Sequence, residues 1–319
     1  MCKLKKARWQ IRVRGGISTG LTLGPVRSIT QTWSGGLGQR QNIDLLHATF
    51  YRPTIWEKTQ AKKLAVTIHD FIPERMGWSG IRNPHIGKKR LIQKSDLIIC
   101  VSKNTANELN ELFRIDDERV FVIPHGLRHQ FSNEEVGKLK KFDRPTVFYV
   151  GHRYGYKNFE ILPRALFFLR KELPDIQLIL VGTMLQNDEV DLLNKTVGEK
   201  NWRYFGFASE HELMKLYQRS HVHCVTSKFE GFGMTTIESI SMGTPVIATN
   251  IPVFKEVLGD VGFYFDKDSV ESLADSIRKV LLSNSYESIA KKGIEYSKQY
   301  SWEKSAEAHA RAYRWTIES

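Results

Sequence analysis

A chain of 319 residues has room for two domains of ordinary size, and 41% hydrophobic with 26% charged residues describes a globular protein. No apolar run approaches the ~20 residues that a membrane-spanning helix needs. The opening MCKLKKARWQIRVR is interrupted by charges where a secretory signal is continuously apolar, so a cytoplasmic chain is expected. Cys2, Cys100 and Cys224 are scattered, two of them in strand-like runs, and read as reduced structural thiols, not as a metal site or a disulfide frame. The net charge of +12 is uneven, because residues 1–60 hold ten Lys and Arg against Asp44 and Glu57. Such a face could meet anionic lipid, nucleic acid or a phosphorylated substrate, or only water, and no nucleic-acid recognition motif accompanies it.

Residues 1–42 scatter seven glycines through polar sequence without a sustained period and read as loops with at most a short strand or two. From Asn42 the chain tightens into apolar runs: IDLLHAT, KLAVTIHD, SDLIICVS, then RVFVIP ending at Pro124. Helical segments such as Lys103 to Phe113 separate them, the pattern of a parallel sheet covered on both faces. Polar sequence from Pro124 to Arg144 reads as a linker. The βα rhythm then restarts, with TVFYVG, IQLILVG, NWRYFG, HVHCVTS, PVIATN and GFYFD as strands. Helices are expected near Phe159 to Glu172, Glu189 to Glu199, Glu210 to Arg219, Val270 to Leu282 (capped by Asp268 with Glu271) and Trp302 to Thr316. The expected architecture is α/β, two doubly wound domains facing a cleft: residues 1–140, 141–300, and a closing helix in 301–319.

The stretch SKFEGFGMTTIESISMGTPVIATN, Ser227 to Asn250, carries the densest signal. Gly231 and Gly233 allow a sharp turn after a strand. With Thr235 as N-cap, Glu238 falls at N3 as a capping box, and the helix ends at Gly243 before Pro245. A strand, a glycine turn and a helix amino terminus together present backbone N–H groups and the positive end of a dipole to an anion such as phosphate. A capping-box glutamate needs no ligand, whereas Glu230, a carboxylate between a strand end and a GFG turn, has no comparable structural reason.

This stretch resembles the donor-binding signature of retaining glycosyltransferase family 4, the glycosyl transferases group 1, of the kind that builds bacterial surface polysaccharides with mannose or rhamnose. The resemblance rests on Glu230 and Glu238 with the GFG between them and the GTPVIA that follows. It implies a GT-B fold, two Rossmann-like domains with a nucleotide sugar between them. Glu238 would hold the ribose, Glu230 would lie beside the transferred sugar, and the backbone of Gly231, Phe232, Gly233, Met234 and Thr235 would meet the diphosphate and sugar. TVFYVGHRYGYKNFEIL is similar to the segment whose cations neutralise the leaving diphosphate. Lys157 matches by its spacing from Gly151; His152 follows that glycine where the family more often has arginine, and Arg153 is taken as the guanidinium. His69 in AVTIHDFIP matches a histidine near the donor sugar, with Asp70 either orienting it or capping the turn. His125 in PHG is taken to shape a turn, and YSWEKSAEAHARAYRW resembles the closing helix that returns to the first domain. The family's amino-terminal strand, glycine loop and helix are not in clear order here, so the first domain reads as abbreviated, with RGGISTG as a remnant of the loop.

The resemblance therefore implies transfer of a hexose, with retention and without a metal or other cofactor, from a nucleotide-diphosphate sugar to a glycan or lipid-linked acceptor. Polysaccharide or lipopolysaccharide biosynthesis is the implied setting, with the basic amino-terminal region at an anionic inner-membrane surface. The rival readings are a non-catalytic transferase-like subunit, a nucleotide-sugar epimerase and a nucleic-acid binder.

Overall fold

The computed structural model describes residues 44–51, 61–80, 83, 85–115, 118–127 and 139–319. The loops expected over residues 1–42, with RGGISTG and most of the basic segment, lie outside the described residues, as does the middle of the 124–144 linker. Strands β1 (Leu45–Ala48), β2 (Lys63–Ile68), β3 (Leu97–Cys100) and β4 (Val120–Val122) form one sheet in the order β1-β2-β3-β4, every pair parallel. Helices α1 (Ile72–Arg75), α2 (Lys88–Lys94) and α3 (Lys103–Phe113) connect them. Alternate residues of β2 and β3 feed two cores, as a period of two demands. Val66, Ile68, Ile98 and Cys100 pack with Leu91, Ile92 and Leu109 on one face. Ala65, Leu97 and Ile99 pack with Ile123 and Ala312 on the other.

The second domain repeats the rhythm: β5 (Thr146–Val150), α4 (Ile161–Leu169), β6 (Gln177–Val181), α5 (Asn187–Thr196), β7 (Trp202–Tyr204), α6 (Glu210–Arg219) and β8 (Val222–Val225). It continues through α7 (Met234–Ser241), β9 (Val246–Thr249), α8 (Pro252–Leu258), β10 (Phe263–Phe265), α9 (Val270–Leu281) and α10 (Tyr286–Ser297). The strand order is β10-β9-β8-β5-β6-β7, all parallel. The chain winds outward from β5 in one direction and from β8 in the other, so the β5/β8 boundary is the topological switch point, where a crevice opens at the carboxyl ends of the strands.

Two expected caps are placed differently. Helix α7 begins at Met234 with Gly233 as N-cap at φ +87°, so Thr235 is inside the helix and Glu238 is not at N3. The left-handed glycine completes the turn a residue earlier than the Thr-x-x-Glu spacing suggests. For α9 the cap is Ser269, whose hydroxyl accepts from the Ser272 amide at 3.1 Å. Asp268, at φ +65°, turns out to pair with Lys228 at 2.6 Å.

Helix α11 (Trp302–Glu318) leaves the second domain and lies across the first, where Ala312 is fully buried under β2 and β3. The Leu127 amide donates to the Tyr300 carbonyl at 3.1 Å, and Leu127 bridges Ser301. Gly126 lies so close to the start of α11 that a Cβ there would sit 2.2 Å from the Trp302 nitrogen. Neither backbone can yield without displacing the domain crossing. Gly126→Ala is therefore expected to destabilise the protein by about 2 kcal/mol, read as a lowered thermal midpoint together with faster amide exchange at the start of α11.

Candidate functional site

The residues after β5 and after β8 meet at the switch point. Beyond Gly151 the chain makes a short 3-10 turn, Gly155–Lys157, closed by Asn158 at φ +52°. Two bonds sew that turn to the β8 loop: Thr226 Oγ1 donates to the Lys157 carbonyl at 2.7 Å, and the Lys228 amide donates to the Tyr156 carbonyl at 2.7 Å. The stitching brings Lys157 Nζ to 2.5 Å from Glu230 Oε1, with side-chain exposures of 20% and 15%. Burial works against the Lys157 ammonium, but Glu230 outweighs it and holds Lys157 above the usual lysine value. A pair of this kind gains little by itself, yet removing one partner strands the other charge in a poorly solvated place.

Directly after Glu230 the two domains come into backbone contact. The Gly231 carbonyl accepts from Ser102 Oγ at 2.7 Å and from Thr105 Oγ1 at 3.2 Å. A Cβ on Gly231 would lie 1.6 Å from the His69 carbonyl oxygen, so no other residue fits while the domains touch here. Phe232 is buried edge-on against His125 and Tyr300, with ring centroids 5.4 Å and 5.7 Å away. Gly233 then opens α7, and in its first turn the Met234 and Thr235 amides have no acceptor inside the helix. Glu238, one turn on, accepts from the Tyr217 hydroxyl at 3.2 Å. Tyr217 is fully buried, and that burial, with Glu238 beside it, raises its pKa well above the usual value.

Across this contact stands His69. Its backbone amide donates to Tyr51 Oη at 2.8 Å, and Nε2 lies 2.9 Å from the Thr49 carbonyl. A carbonyl only accepts, so the neutral ring carries its proton on Nε2 and leaves Nδ1 as an acceptor. The ring stacks on His125 at 5.7 Å. Asp70 caps the turn, its Oδ1 accepting from the Ile72 amide at 2.9 Å, which decides between its two expected roles. Beneath this turn Lys88, with no solvent exposure, donates to the Asp70 carbonyl and pairs with Glu74, both at 2.7 Å. A cleft of about 430 Å³ opens beside Glu230, between Asn104, Asn107 and Glu108 of α3 and Phe229, Ile251 and Pro252 of the second domain.

Lys157, Glu230, Gly231, Phe232, Gly233, Met234 and Thr235 are thus gathered against His69, with Glu238 one helical turn away. Arg153 is not among them. Its guanidinium is buried against Glu189, with Nε donating at 2.7 Å, and Nη2 donates to the Thr183 carbonyl at 2.6 Å. The guanidinium expected to face a diphosphate instead ties the loop after β6 and the start of α5 to the loop after β5. Glu189, the N3 residue of the capping box of α5, holds Nε and Nη2, while Nη1 is buried without a hydrogen-bond partner among the described residues. Ser102, Thr105, Tyr51, Lys88 and Tyr217 were not singled out by the sequence; Ser102 carries the local mark of a helix N-cap, but the contact each makes with the site is distant along the chain. Among the described residues, no helix is long and apolar enough to cross a membrane.

The family model described as Glycosyl transferases group 1 matches residues 131–299, just over half of the chain, and the model described as Glycosyltransferase Family 4 matches residues 17–131. The O-antigen chain mannosyltransferase B of Escherichia coli is 25% identical over 280 residues, covering 83% of this chain and 74% of that protein. The serotype-specific mannosyltransferase WbdA of Escherichia coli is 24% identical over 82% of this chain, which spans only 34% of WbdA. Among solved structures, the sucrose-phosphate synthase from Thermosynechococcus elongatus superposes with a TM-score of 0.72 at 19% identity, covering 96% of this chain and 82% of that one. Anabaena HepE in complex with UDP and glucose gives 0.68 at 19% identity, covering 87% and 77%. The two facing parallel-sheet domains are those of the GT-B fold.

Two outcomes follow from this geometry. Lys88→Met strands Glu74 and the Asp70 carbonyl, and is expected to cost about 3 kcal/mol in urea unfolding, part of it recovered in the Lys88→Met/Glu74→Gln double variant. Burial, then the neighbouring imidazoles, depress His47 and His125 from 6.5 to about 4. The unfolded chain then binds more protons between those values. The stabilisation is fully present above pH 6.5 and is lost as the pH falls towards 4, so the thermal midpoint should drop across that window and less steeply in His47→Gln.

Proposed function

Because the chain belongs to the glycosyl transferases group 1 family and is a glycosyltransferase of polysaccharide biosynthesis, we propose that it moves mannose, with retention of configuration, from a nucleoside-diphosphate sugar to a growing glycan or lipid-linked acceptor. The observation that carries this reading is the Lys157–Glu230 pair, set at the switch point beside the amino terminus of α7 and against His69. The mannosyl choice rests on what the two Escherichia coli relatives are named for. A nucleoside diphosphate as the leaving half agrees with the UDP held by HepE.

In this reading the diphosphate lies against the Met234 and Thr235 amides and takes Lys157 away from Glu230. The ammonium and the helix dipole then meet the negative charge that grows as the sugar–phosphate bond breaks, and they do so without reorganising. Glu230, released from its salt bridge, accepts from hydroxyls of the sugar, while Glu238, steadied by Tyr217, accepts from the ribose. His69 Nδ1 offers an acceptor at the sugar's other side. The acceptor hydroxyl attacks C1 from the face that the diphosphate leaves and passes its proton to the departing phosphate oxygen, so one C–O bond replaces the other with configuration retained. The diphosphate charge is met by Lys157 and α7, and no metal takes part. Nothing in the site's geometry favours the epimerase or binding-subunit reading. The basic residues of the first 60 positions support contact with an anionic membrane surface where a lipid-linked acceptor would lie.

The test is release of nucleoside diphosphate from GDP- and UDP-hexoses, with and without a mannan or lipid-linked acceptor. Lys157→Ala is expected to lower kcat by roughly 10²-fold or more, Glu238→Ala to raise the donor KM more than it lowers kcat, and EDTA to leave activity unchanged. Arg153→Ala is expected to lower the thermal midpoint and spare Lys157's contribution. No turnover of any donor, together with no thermal shift from GDP or UDP, would overturn the reading.

A further inference from the structure

One helix end bonds to two separate elements across the contact between the domains. The first two amides of α3, on Lys103 and Asn104, donate to Glu256 Oε1 and Oε2 of α8 at 2.6 Å and 2.8 Å. A carboxylate from the second domain thus caps a helix of the first, bidentately and at the positive end of its dipole. The same end works in the opposite direction. Ser102, the N-cap residue, accepts from the Thr105 amide at 3.0 Å, and the Ser102 and Thr105 hydroxyls donate to the Gly231 carbonyl. Both residues are fully buried. One turn of helix therefore fixes two separate elements of the second domain, α8 and the Glu230–Gly231 backbone, and it does so where Gly231 abuts the His69 carbonyl.

We infer that Glu256 is a positioning residue for the transfer reaction: by clamping the amino terminus of α3 it holds the Ser102 and Thr105 hydroxyls on Gly231, and through them sets Glu230 against His69. The inference rests on the proposed transferase site for its effect on rate, but not for the clamp itself. Glu256 touches neither Glu230 nor Lys157 among the contacts described, so its influence runs through α3. Gly231 has no side chain to fix its place; among the described residues the two hydroxyls bond to its carbonyl, and the His69 carbonyl and Asp70 Cβ stand against its Cα. If α3 tilts, the hydroxyls move and Glu230 moves with them. Displacements of about 1 Å at a reacting centre can cost on the order of 10²-fold in rate.

The test uses the full chain as wild type, Glu256→Gln and Glu256→Ala. In ligand-free protein, hydrogen exchange is read over 101–106 and separately over 229–234. The Ala variant should exchange faster in both segments, and the Gln variant, which keeps one acceptor oxygen, by less. Faster exchange over 101–106 alone would reduce Glu256 to a helix cap, and no change in either segment would remove the clamp; neither outcome depends on a donor being known. With GDP-mannose and UDP-hexoses as donors, kcat should fall roughly tenfold in Glu256→Ala while the donor KM stays within about threefold. An unchanged kcat despite faster exchange in both segments would overturn the positioning role. A wild-type enzyme that turns over no donor would count against the proposed function and leave the exchange result to decide the clamp.

Discussion

The architecture depends on the absence of a side chain at Gly231. With the His69 carbonyl 1.6 Å from where a Cβ would stand, the two domains approach to backbone contact at the point where the candidate site lies. Ser102 and Thr105 make that approach favourable, because without them the Gly231 carbonyl would be buried and unsatisfied, at a cost of about 1–3 kcal/mol. The contact is therefore both sterically selective and held by hydrogen bonds. It sets His69, in the first domain, beside Glu230, in the second, without a direct bond between their side chains.

Around that contact the electrostatics follow from topology. Reversal of strand order between β5 and β8 leaves the residues after these two strands facing one crevice, and the bonds from Thr226 and Lys228 to the 155–157 turn fix how they face. Lys157 and Glu230 then neutralise each other. An anion arriving at α7 finds an ammonium already partly desolvated, so the exchange of Glu230 for phosphate replaces one charge-assisted contact with another. Arg153 follows the opposite logic. Held by a carboxylate and backbone carbonyls through Nε and Nη2, it ties the loops after β5 and β6 to the start of α5.

The sequence made the strands legible because parallel strands buried on both faces are written as continuous apolar runs, and LIIC or VIAT cannot belong on a surface. The ten strands among the described residues fall inside the expected runs. Helices with a clear apolar stripe or a Ser cap were equally readable, whereas α2, α8 and α10 sit in mixed sequence and owe their form to the neighbours they pack on. The site was legible where one short stretch holds it, from Glu230 to Glu238. It was not legible where partners are far apart in the chain. The 3-10 turn aims Lys157 into the crevice, but a spacing argument could not see that Arg153 would be captured by Glu189, 36 residues on. The misplaced α7 cap has a local origin: Thr-x-x-Glu is a valid capping pattern, and the left-handed turn at Gly233 overrode it.

A remaining question is how two sheets joined through so few residues keep His69 and Glu230 in fixed relation. The PHGL segment and α11 answer it. Leu127 pairs with Tyr300 and Ser301, Gly126 rests on the Trp302 backbone, and α11 then covers β2 and β3, where His47 Nδ1 meets the Tyr313 hydroxyl at 2.6 Å. Chain leaving the first domain and chain returning to it are thus bonded side by side, so a twist of one domain must move both strands of the crossing together. His125 lies in the same segment and stacks on His69 while its other neighbours are Phe232 and Trp302. The hinge region is consequently one wall of the site. His125 thus packs on a ring of each domain, His69 of the first and Phe232 of the second, so the crossing segment bears on both sides of the Gly231 contact at once.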